Sequence, residues 1–102
     1  MKTFFHATPK DNIFKIMKEG IKADFMGYVY LCEKPVDCMK FMQRYGKGEY
    51  AVIPLELNEN DVMISTDHNE AYYGCKAYTY SGNIEPDAIP HKLDDILLYS
   101  LK

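Results

Sequence analysis

Residues 3–20, TFFHATPKDNIFKIMKEG, place an aromatic strand, a stop and a helix in one run. Thr3 to Ala7 reads as a short β-strand, because aromatic and β-favouring residues fill it and a helix start bounds it. Thr8 is placed as an N-cap, Pro9 fits the first helical position, and Asp11 stands where a capping box wants an acid. Ile13, Ile16, Met17 and Gly20 then follow helical spacing, with Phe14 widening the apolar face. Gly20 is suited to end the helix in a left-handed conformation.

The same order recurs downstream. After a turn at Met26-Gly27, Tyr28 to Cys32 reads as a strand and Pro35 opens a second helix. Cys38, Phe41, Met42 and Tyr45 fall at i, i+3, i+4 and i+7, one apolar stripe, and Gly46 and Gly48 end it. Tyr50 to Leu57 is a longer strand with Ala51, Ile53, Leu55 and Leu57 on one face. Pro54 inside it cannot donate to a ladder and so argues for an edge or a bulge. Asn58 to Asp61 is a turn, Val62 to Ile64 a brief strand, and Ser65 to Ala71 a polar loop. Cys75 to Tyr80 alternates small or polar residues with tyrosines, as a half-buried strand does. Ser81-Gly82-Asn83 is a turn, and Ile84 to Ile89 an extended step followed by a one-turn helix begun at Pro86. The tail, Asp95 to Leu101, fits a strand or a short helix equally well, since Ile96, Leu97 and Leu98 form a continuous apolar run. The sum is a mixed α+β domain spanning residues 1–102, with both helices in the N-terminal half.

Composition narrows the function classes. Hydrophobic residues make up 47% and charged residues 26%, a globular balance. Net charge is −3 and Arg44 is the single arginine, which disfavours a bulk duplex nucleic acid as partner. Three cysteines without a CxxC pair point to a reducing, cytoplasmic setting rather than a disulfide framework. The sequence has neither a leader pattern nor an apolar run of membrane-spanning length, so no membrane partner is expected. Asp67-His68-Asn69-Glu70 carries metal-compatible side chains without ligand spacing and reads as a solvated loop, so no metal site is expected.

The ordered pieces FFHATPKDNIFKIMKEGIKAD (4–24), GYVYLCEKPVDCMKFM (27–42), YAVIPLEL (50–57) and YTYSGNIEPDAI (78–89) together resemble small members of the ADP-ribosyltransferase superfamily, near the RNA 2′-phosphotransferase-like branch. In that superfamily a first strand ends in His followed by Thr, and a helix ends in a KEG-like turn. A second strand carries an aromatic or serine, and a late strand leads into a GDIPPEAI-like turn. The resemblance implies split antiparallel β-sheets with NAD held in the cleft between them. It implies that His6 hydrogen-bonds the adenosine ribose, that Thr8 lies close to the dinucleotide, and that Tyr28 or Tyr30 stacks on nicotinamide or holds its ribose. Strand alternation puts both tyrosines on one face, and Tyr30 better matches the motif position.

One departure is chemical. Active members carry a glutamate on the late strand, where a fixed carboxylate stabilises the oxocarbenium-like ribose left by nicotinamide. This chain has Lys76 or Ala77 there. Glu70 and Glu85 are the nearby carboxylates, and Glu85 is taken with Tyr30 as the candidate catalytic set. The 2′-phosphotransferase branch dispenses with the glutamate but relies on several arginines.

Each residue also has a plainer reading. His6 suits a core histidine bonded to a backbone carbonyl, Thr8 is explained by capping worth about 1 kcal/mol, and Tyr72, Tyr73, Tyr78 and Tyr80 suit cross-strand packing. Two expectations therefore stand side by side. One is an ADP-ribosyltransferase-like enzyme that binds NAD and transfers ADP-ribose to a macromolecule. The other is a catalytically degenerate protein of the same fold, of the kind carried by phage or mobile elements, acting by binding a nucleotide or a target protein.

Overall fold

Two antiparallel three-stranded sheets and two helices make up the computed structural model, which describes residues 1–65 and 76–102. The elements are β1 (Lys2–Pro9), α1 (Ile13–Glu19), β2 (Tyr28–Leu31), α2 (Pro35–Met42), β3 (Gly48–Leu57), β4 (Val62–Ile64), β5 (Tyr78–Ser81) and β6 (Leu97–Leu101). One sheet has the order β1-β3-β6 and the other β2-β5-β4. The α+β expectation with both helices in the N-terminal half therefore stands.

β1 runs further than the sequence reading gave it. Its ladder with β3 extends from Lys2↔Leu57 to Pro9↔Tyr50. Thr8 is consequently a strand residue opposite Ala51 rather than an N-cap, and its hydroxyl accepts from Asn12 Nδ2 at 3.0 Å. A 3-10 turn, Lys10–Asn12, separates Pro9 from α1, so the helix starts four residues later than the capping signature implied. Backbone pairing with β3 outcompetes the local cap. Ile13 and Ile16 face the core, but Phe14 is 70% exposed and does not widen the buried face.

The C-terminal end of α1 follows its glycine. Gly20 has φ +79, its N–H bonds the Ile16 carbonyl at 2.7 Å, and a Cβ there would lie 2.1 Å from the Ile84 carbonyl oxygen. That close approach lets Ile21 and Ile84 exchange two backbone bonds of 2.8 Å. The one-turn helix after it, Pro86–Ala88, also follows the sequence reading.

Pro54 sits in a central strand without breaking it. It faces Phe5 on β1, whose own N–H and carbonyl turn away from β3 to bond Cys32. In such an antiparallel pair the partner's backbone groups also point outward. Pro54 therefore presents its missing donor on the β6 side, where β6 pairs only with Gly48 to Val52. β3 is central along its first half and an edge at Pro54. The apolar tail resolves as strand β6, because the first half of β3 has an open edge for it to pair.

Ala51, Ile53, Leu55 and Leu57 pack with Phe4, Val29 and Leu31 in one core cluster. Tyr50 and Val52, on the opposite face of β3, pack with Cys32, Cys38, Met39 and Phe41 of the α2 side. Both faces of the β1-β3 ladder are thus covered. β5 begins at Tyr78, and Tyr78 and Tyr80 pack against the core, the structural role weighed for them. Cys75, Tyr72, Tyr73 and the Asp67–Glu70 tetrad lie outside the described residues. No helix among the described residues is long and apolar enough to cross a membrane.

Candidate functional site

Among the described residues the two sheets meet edge to edge at one bridge. Phe5 on β1 and Cys32, just past β2, exchange backbone bonds of 2.8 and 2.9 Å, and beyond that bridge the strands diverge. By alternation the backbone groups of Tyr30 and Tyr28 also face the gap. The Tyr30 carbonyl accepts a hydrogen bond from the His6 ring at 2.8 Å. Tyr28 is held by Asp24, whose Oδ1 accepts the Tyr28 N–H at 3.1 Å and the Met26 N–H at 2.9 Å. Gly27, at φ +87, allows this turn. The Tyr30 carbonyl and the Tyr28 N–H are met by side chains, where a continuous sheet would have paired them with β1.

A cavity of about 220 Å³ lies in the split. Tyr28, Tyr30 and Cys32 line one wall, while Cys38, Phe41 and Met42 of α2 line another. Lys22 and Asp24 come from the segment after α1, and Arg44 and Tyr45 from the turn after α2. A second cavity of about 210 Å³ lies toward α1, lined by Thr8, Asn12, Lys15 and Glu19 among others. His6 and Lys22 line both. Together the two fall in the range of roughly 300–1,000 Å³ that small-molecule clefts occupy.

His6 is the hinge of this arrangement. A carbonyl only accepts, so Nδ1 carries the proton and donates to Tyr30, leaving Nε2 as an acceptor in the neutral ring. Burial holds the imidazole below its ordinary pKa, while the bond to the Tyr30 carbonyl acts the other way. The ring is a fixed, uncharged acceptor at neutral pH.

Arg44 donates to the Tyr45 hydroxyl at 3.0 Å and lies 5.1 Å from the centre of that ring. Tyr45 departs from the sequence reading, which put it on the buried stripe of the second helix. The α-helix ends at Met42 and a 3-10 turn, Gln43–Tyr45, follows, so the tighter pitch turns Tyr45 to 62% exposure.

Of the residues singled out in sequence, His6, Tyr28 and Tyr30 share the first cavity, and Thr8 joins His6 in the second. Glu85 is exposed and belongs to the described lining of neither. Ala77, one of the two positions aligned with the family's glutamate, is buried and lines the first cavity, whereas Lys76 is exposed. Asp24 is the carboxylate among that cavity's described residues. Lys22, Asp24 and Arg44 escaped the sequence reading because each reaches the cleft from a connection between elements rather than from a helix or strand with a readable period. The Met26-Gly27 turn signal before β2 was the clue available for Asp24.

Among the described residues no group of three or more His, Cys, Asp or Glu comes together to hold a metal. No protein-family model matches the chain, and no curated protein matches it in sequence.

Proposed function

We propose that the split between the sheets is a nucleotide-binding cleft of the ADP-ribosyltransferase-like kind, which takes NAD or its ADP-ribose portion and acts by binding rather than by transfer. The supporting observation is His6, whose ring is oriented by Tyr30 and keeps an acceptor nitrogen on a residue shared by both cavities. A ribose hydroxyl is a matching donor. Tyr28 and Tyr30 offer flat faces for a base or nicotinamide, and Lys22 and Arg44 bring positive charge for a pyrophosphate.

Binding is favoured over turnover by the carboxylates. Stabilising a developing oxocarbenium requires a fixed negative charge at the ribose. Among the described residues Ala77 offers none, Glu85 stands outside both cavities, Glu19 lines the second cavity rather than the one with Tyr28 and Tyr30, and one oxygen of Asp24 is already engaged by two backbone donors.

Thermal melting with NAD and with ADP-ribose tests the proposal. A ligand at 100 times its Kd stabilises by about 2.7 kcal/mol, which raises Tm by roughly 10 °C or more in a domain of this size. His6→Ala and Tyr30→Ala should each remove the shift. Absence of any shift with both ligands sinks the cleft assignment. Release of nicotinamide from NAD would instead replace binding with catalysis.

A further inference from the structure

Cys32 and Cys38 come together in the wall of the first cavity. The Phe5 carbonyl accepts from the Cys32 N–H at 2.9 Å and from the Cys38 thiol at 3.4 Å. One oxygen therefore gathers the backbone of one cysteine and the side chain of the other, and both side chains belong to one buried cluster. Neither is in a disulfide. Their relative exposures are only 4% and 3%, yet both line the cavity, which gives a small reagent a route to them.

We propose that Cys32 and Cys38 form a dithiol modification site that a small-molecule disulfide oxidises to an intramolecular disulfide. The inference rests on the thiol geometry and not on the nucleotide reading of the cleft. The neighbouring Cys38 side chain, and then burial, hold the Cys32 thiol well above its ordinary pKa, and in the proposed exchange Cys38 is the first nucleophile. Its thiolate attacks one sulfur of the reagent, the reagent's S–S bond breaks, and one small thiolate leaves and takes up the proton that Cys38 gave up. Cys32 then loses its proton and attacks the Cys38 sulfur of the mixed disulfide, releasing the second small thiol. The protein gives up two electrons and two protons, and the reagent gains both.

The test uses the whole reduced protein with 2-hydroxyethyl disulfide under native conditions, followed by alkylation and peptide mapping by mass spectrometry. Cleavage after Glu33 separates the two cysteines, so a linked peptide pair identifies the bond. The expected result is a Cys32–Cys38 linkage, with two of the three cysteines protected from alkylation and both recovered by dithiothreitol. Cys38→Ser, which keeps a donor for the Phe5 carbonyl, should leave Cys32 open to alkylation after the same treatment. Free thiols throughout, a mixed disulfide that goes no further, or a bond involving Cys75 would each overturn the proposal.

Discussion

His6 shows how a single side chain can hold a sheet junction and prepare a site together. Its ring satisfies the Tyr30 carbonyl at the point where β1 and β2 part, and it does so as a neutral imidazole. Because burial lowers its pKa below the ordinary 6.5, the unfolded chain binds the proton more readily than the folded one. Stability from this group is therefore fully present above about pH 6.5 and is lost as pH falls through the lower folded value. Melting curves of the wild type between pH 7.5 and 5 should show Tm declining across that window. His6→Gln, which keeps a donor but has no titration there, should flatten the decline; an unchanged slope would remove His6 as its cause. Thr8, two residues on, contributes differently. Its hydroxyl accepts from Asn12 and the residue is buried, so it joins the second cavity as a wall residue.

Among the elements, the end of α1 carries the sharpest expectation. Gly20 combines φ +79 and ψ −170 with a Cβ position 2.1 Å from a backbone oxygen. Gly20→Ala should cost about 1–3 kcal/mol from the backbone conformation alone, with the collision at Ile84 adding to it. Urea unfolding would show this as a lower midpoint at unchanged slope. This helix end was legible in the sequence because few residues other than glycine can occupy such a conformation. The start of the same helix was not, since Thr-Pro before an apolar run suits a cap and a strand end alike, and the long β1-β3 ladder decided between them. The tail was undecidable for a related reason: Ile96-Leu97-Leu98 has no period, and the open edge of β3 is supplied from far along the chain. Pro54 was read as a sign of an edge, and β3 is an edge there, because pairing with β6 stops at Val52. For the site, alternation placed Tyr28 and Tyr30 on one face, but nothing local connects His6 to the Tyr30 carbonyl. That contact exists because two strands diverge after a single bridge.

At the scale of the molecule, the two sheets share few backbone bonds, so side chains must hold them in register around the cleft. Glu33 is central to this. Its carboxylate accepts from Lys2 at the start of β1 and from the Tyr78 hydroxyl on β5, and the Phe4 and Tyr78 rings meet across the same junction at 5.7 Å. The bonds from Lys2 and then from Tyr78 hold the Glu33 carboxyl below its ordinary value of 4.5. The sign is that of a depressed acid: its contribution is complete above about pH 4.5 and disappears as pH falls through the lower folded value. The same contact raises the Lys2 pKa, and it is one interaction seen from both ends. Glu33→Gln should lower Tm at pH 7 and narrow the gap to the wild type near pH 3, in a window well below that of His6. The side chains of Lys2 and Glu33 are each 37% exposed, so solvent screens the pair and its contribution is modest. One molar salt should therefore shrink the pH 7 difference. If the variant melts with the wild type at pH 7 in low salt, the sheets are held instead by the Phe5–Cys32 bridge and the ring contact. In that case Phe4→Leu, which removes the ring contact and keeps an apolar side chain, becomes the substitution that loosens the cleft.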